Sequence, residues 1–160
     1  MDLSSILTNT QTLLAPLAGM ITQPEANRLD AVLSADQLTA AAAALLAQDF
    51  YLSAITGLDL PPAEEREGQI ELLYHFCKGA AVVTLRLMVP YSSPNAPTMC
   101  DLIPSATLYE RELIEMFGVE LVGTPSTAKL LLPDDWPDGV YPLRKSFTGL
   151  AKSSAPIAKE

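Results

Sequence analysis

An α+β fold follows from three features of the chain: an Ala/Leu-rich run at helical spacing, two alternating segments joined by a short glycine turn, and a later amphipathic segment that stops at a glycine. The expected architecture is a small antiparallel sheet with packed helices and an extended Pro-rich C-terminal arm. Residues 1–26 read as an N-terminal arm or short helix, 27–132 as the α+β domain and 133–160 as the arm.

Ile6, Leu13, Leu14, Leu17 and Ile21 are scattered among Pro16, Gly19 and Pro24, which limit any helix to a short one. Arg28 to Leu33 is short and moderately apolar. Ser34, with Gln37 three residues later, reads as a capping box. Leu38, Ala41, Ala42, Leu45 and Leu46 then recur on one face, predicting a helix over about 35–48 that packs on a sheet. Phe50 to Leu58 turns to larger and β-branched residues before Asp59, Pro61 and Pro62, which predicts a strand and then a loop. The Glu64-Glu65-Arg66-Glu67 cluster belongs in solvent.

In Gln69 to Cys77, Ile70, Leu72, Tyr74 and Phe76 alternate with Glu71, Leu73 and His75, as two faces of a strand require. Ala80 to Val89 supplies its partner, and Gly79 suits the positive φ of a tight hairpin turn. After irregular chain around Pro90, Pro94, Pro97 and Pro104, Ser105 or Thr107 is placed to cap a helix ending at Phe117, with Gly118 as its stop. Leu113, Met116 and Phe117 form its apolar strip, and Arg111 and Glu115 stand four apart, where they can pair.

With 160 residues, 49% hydrophobic and 18% charged, the chain has the composition of one folded domain. A net charge of -9 disfavours nucleic acid and anionic lipid as partners. No apolar run approaches the roughly 20 residues needed to cross a bilayer. No Lys or Arg precedes Arg28, so a secretory leader is not expected, and the chain reads as cytoplasmic.

Two separated cysteines, Cys77 and Cys100, and the single His75 cannot furnish an iron–sulfur or zinc site alone. No Gly-rich phosphate loop is present. His75 reads as a sheet-face residue rather than a proton shuttle. A hydrolase would need paired carboxylates, with Glu112 and Glu115 or Asp134 and Asp135 as nominal pairs, but no supporting His, Ser elbow or metal pattern accompanies them. In the tail, Trp136, Tyr141 and Leu143 are anchors that either dock on another surface or fold back onto their own domain.

The block Glu110-Arg111-Glu112-x-x-Glu115-Met116-Phe117-Gly118 resembles a motif of the thirty-kilodalton subunit family of NADH:quinone oxidoreductase and of its counterpart in energy-converting nickel–iron hydrogenases. Leu132-Pro-Asp-Asp-Trp136 and Pro142-Leu143-Arg144-Lys145 are similar to later motifs of that family, in the same order. The likeness covers roughly residues 48–147. Thr124 and Ala128 stand where the family usually has His and a basic residue, with Lys129 one place later, and Ser146 replaces an acid. The wording from Trp136 to Lys145 is closer to hydrogenase-type members.

The resemblance implies a non-catalytic subunit of a complex I-like oxidoreductase, peripheral on the cytoplasmic side of the membrane, that braces a large catalytic subunit. The same subunit in respiratory NADH:quinone oxidoreductase is the alternative, and a free-standing hydrolase a remote one. No cofactor is expected in this chain; iron–sulfur clusters and possibly nickel–iron belong to partners, namely the large catalytic subunit, a small iron–sulfur subunit and membrane subunits. The residues implied in docking or in the family motif are Glu110, Arg111, Glu112, Glu115, Phe117, Gly118, Trp136, Tyr141, Leu143, Arg144 and Lys145.

Overall fold

The computed structural model describes residues 2–150, so Met1 and the expected end of the tail, 151–160, lie outside the described residues. Asp2 caps the first helix, α1 (Leu3–Leu14), by accepting the Ser5 N–H at 2.8 Å. The short helix expected in this segment is present, and the strand that follows it was not anticipated. Strand β1 (Met20–Glu25) pairs antiparallel with β2 (Arg28–Leu33) at the edge of a five-stranded sheet.

Helix α2 (Ala35–Leu46) matches the expected run, with Leu38, Ala41, Ala42 and Leu45 buried. The capping box is corrected: Ser34 occupies the N-cap position, but its side chain makes no capping hydrogen bond. Strands β3 (Tyr51–Leu60), β4 (Gln69–Lys78) and β5 (Ala81–Pro90) form an antiparallel meander that contains the expected β4–β5 hairpin, turned by Gly79 at φ +57°, and the pairing of β3 with β4 extends it. The return of β5 alongside β2 is parallel and gives the sheet order β1-β2-β5-β4-β3. A short parallel pair, β6 (Asn95–Pro97) with β7 (Glu120–Val122), flanks helix α3 (Thr107–Phe117) in sequence. Thr107 is the first residue of α3 and Ser105 lies in the preceding 3-10 turn, so neither caps the helix; that position is Ala106.

Register explains where the core sits. Leu33, Leu87, Leu72 and Gly57 are neighbours across four strands, as are Ala31, Leu85, Tyr74 and Ile55 in the adjacent row. All seven side chains in these rows are buried. At roughly 1.5–3 kcal/mol for each fully buried large aliphatic or aromatic side chain, these rows supply much of the driving force for folding. Gly57 completes its row with no side chain because the Phe117 ring of α3 lies there: a Cβ at Gly57 would come within 2.6 Å of Phe117 Cε2. The missing methyl is what lets α3 seat on β3.

The opposite sheet face carries polar groups that must be paired to be buried. Arg28 Nε and Nη2 donate to the two Asp30 oxygens at 2.6 and 3.0 Å. Arg86 bridges onward from Asp30 (Nη1, 3.3 Å) to Glu71 (Nε, 2.6 Å). Both carboxylates are almost fully buried, while the arginines keep about a third of their side chains in solvent. In the same row as Asp30, His75 lies with Nε2 3.1 Å from the Thr56 hydroxyl and Nδ1 3.1 Å from that of Thr84, a sheet-face histidine as expected.

Two outcomes follow from this packing. Phe117 is only 5% exposed, so Phe117→Ala should cost about 3–5 kcal/mol in urea denaturation, and a change below about 0.5 kcal/mol would contradict its burial. Burial, reinforced by Arg28 and opposed by Asp30, holds the His75 pKa below its ordinary 6.5. The unfolded chain therefore takes up that proton first, so this contribution to stability is complete above 6.5 and declines as pH falls toward the folded value. The melting temperature of the native chain should drop more than that of His75→Gln between about pH 7.5 and about pH 5, and parallel curves would contradict the assignment.

Candidate functional site

Helix α3 organises the region where the sequence places its motifs. Its first turn carries Glu110, fully buried, which accepts from the Met99 N–H at 2.6 Å, the Thr98 hydroxyl at 2.8 Å and the Cys100 thiol at 3.4 Å. A carboxylate at a helix N-terminus also complements the helix dipole. Glu110 thus ties the exit of β6 to the start of α3, and a solvated helix face is ruled out at this position. Burial, with the neighbouring Glu110 charge, pushes the Tyr74 hydroxyl far above its ordinary range, and Tyr74 Oη has no hydrogen-bond partner among the described residues. Burial likewise raises the Cys100 thiol and keeps it protonated, the opposite of an activated nucleophile.

Arg111 and Glu115 share a helix face, as their spacing requires, but they do not pair with each other. Arg111 donates through Nε to the Ala128 carbonyl at 2.7 Å and through Nη2 to the Lys129 carbonyl at 2.6 Å. Glu115 accepts the Leu130 and Leu131 N–H groups at 2.6 and 2.9 Å, one on each oxygen. The two charges therefore clamp four consecutive residues of a loop that has no regular structure. Charge-assisted bonds of this kind exceed neutral ones in strength, which suits a segment that cannot satisfy its own backbone.

The loop passes the restraint on to the tail. Lys129 Nζ lies 3.3, 2.8 and 3.1 Å from the carbonyl oxygens of Pro133, Asp134 and Trp136. Trp136 Nε1 in turn donates to the Val140 carbonyl at 2.8 Å, and its ring centroid is 6.0 Å from that of Phe147. Lys129, one place beyond the position where a basic residue was looked for, acts here as an internal cation.

The described tail residues then return to the C-terminal end of α3. Gly118 ends the helix at φ +68°, and the Tyr141 ring occupies the space a Cβ there would fill. The last carbonyls of a helix lack internal donors. Two are met from the tail: Leu143 N–H donates to Met116 at 3.2 Å and Arg144 Nε to Phe117 at 2.7 Å. Helix α3 has no basic residue in its last turn, so Arg144 also supplies the positive charge that this end of the dipole favours.

The Arg144 guanidinium lies 4.7 Å from the centroid of Tyr91 and 4.8 Å from that of Tyr141. Asp59, buried at the end of β3, accepts the Tyr91 hydroxyl on one oxygen and the Lys145 N–H on the other at 2.7 Å. Burial and that bond to Asp59 push Tyr91 up to about 12.

Of the motif residues, Glu110, Arg111, Glu115, Phe117, Gly118, Trp136, Tyr141 and Arg144 are brought together by these contacts. Glu112 is partly buried and enters no ion pair among the described residues. Leu143 remains 52% exposed, and the Lys145 side chain points to solvent. Asp59, Tyr91 and Thr98 belong to the same network and were not singled out from the sequence. Asp59 precedes two prolines and read as the start of a loop; only its distant partners reveal its part. Among the described residues no group of His, Cys, Asp and Glu could hold a metal ion, and no helix is long and apolar enough to cross a membrane.

The family described as respiratory-chain NADH dehydrogenase, 30 Kd subunit, matches residues 31–153, a span that includes every contact of this network. The chain belongs to that family. Relatives of this 30 Kd family member include subunit 5 of Escherichia coli formate hydrogenlyase, 40% identical over 74 residues (46% of this chain, 13% of the relative). The beta subunit of the Pyrococcus furiosus membrane-bound hydrogenase is 41% identical over 61 residues (38% and 35%). An NADH-quinone oxidoreductase subunit of Moorella thermoacetica is 32% identical over 99 residues (61% and 63%). The chain thus spans less than two thirds of the length of these curated relatives.

A chain in the structure of the membrane-bound sulfane sulfur reductase, an archaeal respiratory membrane complex, superposes with a TM-score of 0.75 at 28% identity, covering 90% of this chain and 84% of that one. A trypsin-resistant fragment of Nqo5 gives a TM-score of 0.62 at 26% identity, covering 79% and 99%. The fold is therefore shared by a chain of an archaeal respiratory membrane complex and by the Nqo5 fragment.

The clamp on the loop is open to direct measurement. Glu115→Ala removes the acceptor for two backbone N–H groups, at a cost of about 1–3 kcal/mol if they stay unpaired. Amide hydrogen exchange should show Leu130 and Leu131 losing protection while the β4 amides keep theirs, and unchanged exchange at both loop positions would contradict the clamp.

Proposed function

We propose that this chain is a non-catalytic structural subunit in the peripheral arm of a complex I-like, membrane-bound oxidoreductase of the energy-converting nickel–iron hydrogenase type. The observation that carries the reading is the family match over residues 31–153. The role is positional: the chain braces a large catalytic subunit so that electron transfer, coupled to ion translocation, runs within fixed geometry. The higher identities to hydrogenase-type relatives, and the wording from Trp136 to Lys145, support the hydrogenase branch.

The network described above suits such a role. Its charged motif residues spend their bonds inside the chain, on the loop and tail, and so give a pre-organised surface that loses little entropy on docking. Leu143 and Lys145 project from that surface, with Leu131 exposed nearby in sequence. Iron–sulfur clusters and nickel–iron are assigned to the large catalytic and small iron–sulfur subunits, membrane attachment to the membrane subunits, and this chain to the cytoplasmic side.

The NADH:quinone alternative draws on the NADH-quinone oxidoreductase relatives and on the Nqo5 fragment, which this fold covers almost completely. The hydrolase reading gains nothing from the geometry, because both Glu115 oxygens hold backbone amides and Asp134 and Asp135 lie exposed on a turn. Recovery of the tagged chain from its native membranes in mild detergent, with metal analysis of what is retained, separates these readings. Co-purification of a large subunit with iron and nickel is expected. Iron without nickel would move the chain to the NADH:quinone branch, and a chain recovered alone would overturn the subunit reading.

A further inference from the structure

Among the described residues, strand β7 is bordered by β6 on one side and by no strand on the other. In a parallel ladder, alternate residues direct their peptide groups to opposite sides. Glu120 N–H bonds the Pro94 carbonyl at 2.8 Å and the Val122 carbonyl accepts the Thr98 N–H at 3.0 Å, so residues 120 and 122 serve β6. The peptide groups of Leu121 therefore face outward. Its carbonyl is taken by the Thr124 N–H at 3.1 Å, which leaves the outer edge of β7 presenting the Leu121 N–H.

This edge borders a cavity of about 660 Å³ between the strand and the tail, with Ile114, Val119, Leu132, Trp136 and Val140 among its apolar lining. Val122, on the same rim, is 56% exposed. The charge in the groove is one-sided. Glu120 and Asp138 line it and are exposed, whereas the ammonium of Lys129, its cation, is already held by three carbonyl oxygens. The groove thus combines a strand edge, an apolar recess and unneutralised acid.

We propose that it receives an extended, basic segment of a partner protein, added beside β7 as a further strand, with an apolar side chain in the recess and a Lys or Arg at Glu120 and Asp138. Strand addition of this kind draws affinity from main-chain bonds and specificity from the pockets for alternate side chains. A second copy of this chain is disfavoured as occupant by its net charge of -9, which would set acid against acid. The inference rests on the subunit reading above and assigns the segment to the large catalytic subunit.

The test uses the full chain in its complex. Val122→p-benzoylphenylalanine, irradiated in the purified assembly, should cross-link to a large-subunit segment with Lys or Arg within about two residues of the attachment point, the spacing that keeps side chains on one face of a strand. Glu120→Lys should reduce recovery of the large subunit about tenfold at low salt, while Glu25→Lys, exposed on β1 at the opposite edge of the sheet from β3, should not. A cross-link confined to this chain's own tail, to a second copy or to a non-protein component would overturn the proposal, as would full recovery with Glu120→Lys. If the native chain recovers no large subunit, the subunit reading itself fails and the groove assignment falls with it; recovery with a misplaced cross-link removes the groove assignment alone.

Discussion

The Arg144 guanidinium, stacked between Tyr91 and Tyr141 while its Nε caps the Phe117 carbonyl, is the contact on which the motif region depends. It joins three parts of the chain: the segment after β5, the C-terminal end of α3 and the tail. Asp59 extends the joint into the sheet by holding Tyr91 and the Lys145 backbone at once. A lysine could supply the charge but not the planar group that stacks on two rings and donates along its edge.

Close approach at two glycines makes the joint possible. Phe117 reaches β3 only because Gly57 has no Cβ, and Tyr141 covers the end of α3 only because Gly118 has none. Arg111, Glu115 and Lys129 then carry order outward, each through bonds to backbone rather than to an opposite charge. A chain that uses its charges this way stiffens irregular segments instead of preparing a reactive group. That behaviour is what the proposed bracing role asks of the chain, and it leaves the acidic groove beside β7 as the feature with unspent binding capacity.

Much of the fold was legible because it is locally periodic. The β4–β5 hairpin shows alternation over ten residues on each strand, and α2 and α3 show their buried faces at helical spacing. What sequence reasoning missed is non-local. Nothing within Arg28–Leu33 announces that it pairs in parallel with a strand some fifty residues later, and β1 contains Pro24 and has no buried face to betray it. The spacing of Arg111 and Glu115 placed both on one face, yet spacing cannot show that a loop crosses that face before they meet. The tail anchors were legible as anchors; their target was not, since an aromatic residue serves its own domain or another by the same chemistry.

If the Arg144 joint governs the region, the tail must unfold with the domain and not before it. Trp136 is the chain's single tryptophan and sits within the tail, so its fluorescence reports that segment, while far-UV circular dichroism reports the sheet and helices. In a urea titration of the native chain the two signals should change together, and in Arg144→Ala the Trp136 transition should move to lower urea ahead of the other. A native chain whose Trp136 signal is lost well before its secondary structure, or an Arg144→Ala variant whose two transitions still coincide, would contradict the account.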